Sequence, residues 1–79
     1  MIATENQNLI KQALLEIFQT KGLDAPALEA DTVLDQLGLE SLDFAQAVIR
    51  MEEMTGKDPF ASATEYQIKT LSDFAAVYD

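Results

Sequence analysis

Hydrophobic residues near the start of the chain recur at intervals of three and four, which predicts an amphipathic first helix. The residues of this stripe are Ile10, Ala13, Leu14, Ile17 and Phe18. Thr4 and Gln7 have the spacing of a capping box, so we expect Thr4 to cap this helix. Gly22 follows the last apolar position and supplies a stop signal.

The apolar pattern changes after this helix. The helical spacing lapses between Leu23 and Glu40, where Pro26 and Gly38 interrupt a long connection. Its apolar residues suggest a loop that is pinned to the core, because an ordinary loop would not need so many anchors. These residues are Leu28, Val33, Leu34 and Leu37. Within this loop, residues 31–36 are a candidate for one helical turn.

A second helix is predicted over residues 41–54, opened by Ser41 and closed by Gly56. It is the most amphipathic element of the chain. The residues expected to point inward are Leu42, Ala45, Val48, Ile49 and Met51.

The pattern is poor over residues 57–69, where Pro59 and Phe60 predict a turn with an apolar anchor and residues 64–68 allow one short helical turn. A last helix should begin after Thr70. The side chain of Thr70 can cap this helix, with Asp73 at the third helical position. Its apolar face consists of Leu71, Phe74, Ala75 and Tyr78. No stretch of the sequence alternates apolar and polar residues as a strand does. We therefore predict an all-α fold in a single domain over residues 1–79.

The composition excludes most enzyme classes. The 79 residues include neither Cys nor His, so no disulfide, thiolate nucleophile, histidine base or cysteine-ligated metal is available. Because no recognisable motif places two carboxylates together, we expect neither catalysis nor a metal site.

The charge favours basic partners. Fourteen acidic residues against five basic ones give a net charge of −9, which repels nucleic acid and anionic membranes. Plain solubility is an alternative explanation of this charge. The sequence shows no signal peptide and no apolar run long enough to cross a membrane, so we expect a cytoplasmic monomer that contacts neither membrane nor nucleic acid.

The segment over residues 38–43 carries the most specific chemical signal, since a glycine-containing loop delivers Ser41 to the start of a helix. The unpaired N–H groups and the dipole at this helix end favour an anion, such as a phosphodiester on Ser41. Glu40 and Asp43 oppose that benefit, which suggests that they serve a basic partner. The alternative is that Ser41 is only a helix cap.

Residues 35–44, with the sequence DQLGLESLDF, resemble the phosphopantetheine attachment segment of the acyl carrier protein family. Its usual form is Leu-Gly, one residue, then Asp-Ser-Leu. Residues 68–71 are similar to the Ile-x-Thr-Val opening of the family's final helix. The resemblance implies that a phosphopantetheinyl transferase joins 4′-phosphopantetheine from coenzyme A to Ser41, and that the terminal thiol of this arm holds an acyl group. It also implies a right-handed bundle of three longer helices and one short helix.

In this family, the acidic outer face of the serine-led helix meets basic patches on the transferase and on acyl ligases, synthases and transferases. The residues that match this partner-binding face are Glu40, Asp43, Ile49, Glu52 and Glu53. A solvated helix face is the alternative explanation of the charges. The resemblance also implies an acyl pocket. Its candidate lining residues, which could instead be simple core, are Leu42, Val48, Ile49, Phe60 and Ile68.

The sequence departs from the family pattern in three places. Glu40 replaces the usual Asp, Gln46 and Arg50 make the helix less acidic, and residues 57–67 do not match the family's acidic third helix. These departures favour a specialised carrier in fatty-acid, polyketide or other acyl metabolism. The alternatives are an aminoacyl or peptidyl carrier of a non-ribosomal pathway and an unmodified acidic helical adaptor.

Overall fold

The computed structural model describes residues 2–60 and 68–78, with side chains from residue 5 onward. These residues form three α-helices, α1 (Ile2–Lys21), α2 (Ser41–Thr55) and α3 (Leu71–Ala76), and a 3-10 turn (Leu34–Leu37). Both α2 and α3 pack mainly against α1, which is therefore the centre of the fold. The all-α prediction is confirmed, while the short helical turn predicted at 64–68 falls almost entirely outside the described residues. None of the described helices is both long and apolar enough to span a membrane.

The first helix carries the predicted apolar stripe. All five residues of the stripe are buried, and Ile10, Ala13 and Leu14 are completely inaccessible to solvent. The predicted cap at Thr4 is wrong, because the helix begins at Ile2 and Thr4 lies in its first turn. Gly22 ends the helix as predicted. Its φ of 71° is left-handed, and a Cβ would be strained there.

The long connection is pinned to the core, as predicted, but not by all four apolar residues. Leu34 is 5% exposed, and Leu28 and Leu37 pack against the buried cluster. Val33 is 37% exposed, so its prediction as an apolar anchor is wrong. Val33 contributes through its backbone instead, because it forms an isolated antiparallel bridge with Thr70.

Backbone hydrogen bonds join this loop to the start of α3. The N–H of Leu34 donates to the carbonyl of Lys69 (2.9 Å), and the N–H of Leu71 donates to the carbonyl of Thr32 (3.0 Å). The second bond satisfies an N–H that the first turn of a helix would otherwise leave unpaired. Since these bonds hold Val33 in extended backbone, the helical turn begins at Leu34, later than the start of the predicted 31–36.

The inward face of α2 differs from the prediction. Ala47 and Met51 are fully buried, and Phe44 and Val48 pack against the core. By contrast, Leu42 is 70% exposed, Ile49 is 50% exposed and Ala45 is also exposed, so their predicted burial is wrong. The reason is that α2 carries two apolar stripes, and the stripe with the larger Phe44 and Met51 side chains faces α1 and α3. The helix ends at Gly56 as predicted.

The cap of α3 is the one that the sequence predicts. The N–H of Asp73 donates to Oγ1 of Thr70 (3.2 Å), and the N–H of Thr70 donates to Oδ2 of Asp73 (3.1 Å). Hydrogen bonds from the N–H groups of Thr70 and Lys69 hold the pKa of Asp73 below its usual value. The predicted apolar face of this helix is confirmed, because all four of its residues are buried.

An aromatic cluster closes the bundle beside α3. The rings of Phe60, Phe74 and Tyr78 lie 6.2–6.4 Å apart between centroids. Phe60 therefore serves as the apolar anchor predicted for its turn. The hydroxyl of Tyr78 is buried without a hydrogen-bond partner in the described part of the chain, and burial raises its pKa to about 12.

Candidate functional site

Ser41 is the first residue of α2, and its side chain is exposed. The 3-10 turn ends at Gly38, whose φ of 75° is left-handed, so the chain can turn sharply towards α2. Glu40 then approaches in an extended conformation and occupies the cap position. This route leaves the hydroxyl of Ser41 at the open end of the helix, where an enzyme can reach it.

The first turn of α2 can accept an anion. Asp43 and Phe44 donate their N–H groups to the carbonyl of Glu40, at 2.9 and 3.2 Å. Within the described residues, the N–H groups of Ser41 and Leu42 have no acceptor. Two free donors and the positive end of the helix dipole lie next to the Ser41 hydroxyl, so a phosphodiester attached there would be stabilised.

The carboxylate of Asp43 fixes the backbone that leads into α2. Its Oδ2 accepts a hydrogen bond from the N–H of Glu40 (2.8 Å) and one from Nζ of Lys21 at the end of α1 (2.6 Å). The Lys21 ammonium, followed by the Glu40 N–H, holds the pKa of Asp43 below its ordinary value. The same contact with Asp43 raises the pKa of Lys21. Both groups are therefore ionised at neutral pH, and the attachment segment is tied to α1.

A largely apolar groove opens next to Ser41, between α2 and α3. Its volume is about 410 Å³, which falls within the range of small-molecule sites. Of the predicted lining residues, Val48, Phe60 and Ile68 do line it, whereas Leu42 and Ile49 do not, because both point away from the core. The full lining is Leu34, Asp35, Ser41, Phe44, Ala45, Val48, Phe60, Ile68 and Phe74.

The predicted partner-binding residues separate into two groups. Glu40, Ile49, Glu52 and Glu53 are exposed on or next to α2 and remain candidates for partner contact. The side chain of Asp43, however, is only 14% exposed and is already paired with Lys21.

Sequence reasoning missed the role of Lys21, because 22 residues separate it from Asp43. A basic residue in the last turn of a helix, such as Lys21, is generally favourable. That preference does not show which carboxylate the residue pairs with.

Comparisons with known proteins agree with this geometry. A family model described as the phosphopantetheine attachment site matches residues 12–77. The solution structure of MacpD, an acyl carrier protein from Pseudomonas fluorescens involved in mupirocin biosynthesis, is similar, with a TM-score of 0.86 and 31% sequence identity. The match covers 98% of this chain and 70% of that chain. A comparison with curated proteins gave no significant match.

The residues at the head of α2 fit the prosthetic group of this family. The hydroxyl of Ser41 is exposed, two N–H groups without an acceptor among the described residues lie beside it, and an apolar groove begins there. The family match spans most of the chain, and the structural match covers nearly all of it. This chain therefore belongs to the acyl carrier protein family, which carries 4′-phosphopantetheine as a covalent prosthetic group.

Proposed function

We propose that this chain carries acyl intermediates of a specialised, polyketide-type pathway on a 4′-phosphopantetheine arm attached to Ser41. The observation that carries the proposal is the exposed Ser41 hydroxyl at the head of α2, next to an apolar groove. Members of the family are carriers rather than catalysts, and they interact in general with phosphopantetheinyl transferases, synthases and other transferases. We further propose that residues 1–79 act as one monomeric cytoplasmic carrier domain.

The chain's own residues bind and position the arm. Ser41 would supply the oxygen of the phosphodiester, and the N–H groups of Ser41 and Leu42 would stabilise its negative charge. The bound group supplies a terminal thiol, which holds the cargo as a thioester. Asp43 and Lys21 fix the backbone of the attachment segment, so the arm would leave the protein in a defined direction.

The groove supports acyl cargo over aminoacyl cargo. Its walls include Phe44, Val48, Phe60, Ile68 and Phe74, which offer apolar contact, and the described residues form no cation-binding cluster there. Each methylene group buried there would contribute about 0.8 kcal/mol. An aminoacyl group carries an ammonium, which would lose hydration against these apolar walls and would find, in the described lining, the single carboxylate of the exposed Asp35.

The pathway is suggested by the similar acyl carrier protein MacpD, which is involved in mupirocin biosynthesis. The reduced acidity in the middle of α2, where Gln46 and Arg50 stand, also supports specialised partners over those of a general fatty-acid carrier. Enzymes with basic docking patches are the partners that we propose for this chain.

The proposed cargo can be tested on protein isolated from its own cell. Intact-mass spectrometry should show the chain with one arm and an acyl group, and hydroxylamine should release the acyl group because it cleaves thioesters. An aminoacyl adduct would instead indicate a carrier of a non-ribosomal pathway. A chain that is never modified would contradict the proposed function and favour an unmodified adaptor.

A further inference from the structure

Two ion pairs cross from α1 to α2 on the side of α2 that faces away from the apolar groove. Lys21 lies 2.6 Å from Asp43, and Arg50 lies 3.6 Å from Glu16. Asp43 and Arg50 are two helical turns apart, so they lie on the same side of α2. All four residues line a shallow cavity of about 130 Å³ between the two helices. We call these four residues the bridged flank.

The bridged flank is an exception in an acidic protein. The net charge is −9 and the chain has only five Lys and Arg, yet this flank holds two of them, paired with two carboxylates. The flank is therefore close to neutral. Glu40 lies at its edge, with a carboxylate oxygen 4.0 Å from the ammonium of Lys21, whereas the exposed carboxylates of Glu52 and Glu53 lie outside it.

A basic surface that approaches α2 would meet different charges on the two sides of the helix. On the bridged flank, Oδ2 of Asp43 already has two donors, and the side chain of Arg50 is 52% exposed. A basic surface would be repelled by Arg50 and would find Asp43 occupied. Towards Glu53 and Glu52, it would meet uncompensated negative charge together with the exposed side chain of Ile49.

We propose that Lys21 and Arg50 are specificity-determining residues, which neutralise the bridged flank and direct a partner's basic surface onto the exposed side of α2 that bears Ile49 and Glu53. The inference rests on the proposed function, because the partner is an enzyme that attaches or uses the arm on Ser41. A partner suited to this chain has a neutral or acidic group where it faces Arg50. A partner with a uniformly basic patch is disfavoured.

The test compares two double variants with the same net charge. Lys21→Met/Arg50→Met removes both cations of the bridged flank, whereas Lys11→Met/Lys69→Met removes two cations that lie outside it. Both variants should fold, because the Arg50 pair is open to solvent and Asp43 keeps the N–H of Glu40 as a donor, and circular dichroism checks this. The measurement is the KM and kcat of phosphopantetheine transfer by a broad transferase with a basic docking patch, at low and high salt.

We expect the bridged-flank variant to have a KM at low salt that is lower by about five-fold or more, because electrostatic steering accelerates encounter, whereas kcat reports separately on the loss of the Lys21 contact with the attachment segment. High salt should remove most of the difference. The charge-matched control should change KM by less than about two-fold, and Lys21→Arg/Arg50→Lys should retain the wild-type KM.

Equal KM values for the two charge-matched variants would overturn this inference, as would a higher KM in a folded bridged-flank variant. Either result would leave the proposed function intact, since the chain would still be modified. A wild-type chain that gains no arm from any transferase would overturn the proposed function and the inference with it.

Discussion

Replacing Ser41 with alanine should abolish attachment of phosphopantetheine, because the side-chain oxygen that forms the phosphodiester is lost. Ser41 is the first residue of α2, and its exposed side chain does not pack in the core. Ser41→Ala should therefore keep the helical circular-dichroism spectrum of the wild type. The measurement is the intact mass after incubation with coenzyme A and a broad transferase. The wild type should gain the mass of one arm, and Ser41→Ala should gain none.

Ser72 provides the matched control for this experiment. It is also a serine in the first turn of a helix, but its hydroxyl lies 3.1 Å from Oγ1 of Thr70 and is partly buried. Ser72→Ala should therefore gain one arm, as the wild type does. A Ser41→Ala variant that still gained an arm would contradict the assignment of the attachment site.

Replacing Leu14 with alanine should destabilise the domain strongly, whereas the same change at Leu42 should not. Leu14 is fully buried, and a large-to-small change at such a site costs about 2–5 kcal/mol. In a domain of this size, that loss lowers the melting temperature by roughly 10 °C or more. Leu42 is 70% exposed, so Leu42→Ala should change the free energy of unfolding by no more than about 0.5 kcal/mol.

Thermal unfolding followed by circular dichroism measures both shifts. The pair tests the orientation of α2 relative to the core, because the sequence pattern alone assigns both leucines to buried positions. Similar decreases in melting temperature for Leu14→Ala and Leu42→Ala would contradict the orientation in which Leu42 points to solvent.

Features governed by local rules were predictable from the sequence. The stripe that includes Ile10 and Leu14 follows directly from helical periodicity, and Gly22 and Gly56 stop helices because they adopt left-handed backbone. The cap formed by Thr70 and Asp73 depends on residues only three apart.

Features that depend on tertiary packing were harder to predict. Periodicity does not show which of two apolar stripes on α2 faces inward, so the sequence pattern wrongly predicts that Leu42 and Ile49 are buried. Val33 was predicted to anchor the loop through its side chain, but its backbone makes the contact. An isolated bridge between distant segments leaves no periodic signal in the sequence.

In the candidate site, too, local features could be predicted from the sequence and tertiary contacts could not. Ser41 and its acidic neighbours could be recognised from a contiguous motif, and the structure places them at the exposed head of α2. The pairing of Asp43 with Lys21 joins residues from different helices, and no spacing rule connects them. The sequence therefore located the attachment serine but not the contacts that hold its segment in place.

Locating the arm within the loaded protein tests the central claim most directly. The chain has three serines, and cleavage after Lys and Arg places Ser41, Ser62 and Ser72 in three different peptides, over residues 22–50, 58–69 and 70–79. Fragmentation mass spectrometry should find phosphopantetheine only on peptide 22–50, at Ser41. An arm on either of the other two peptides, or on another residue of peptide 22–50, would contradict the account.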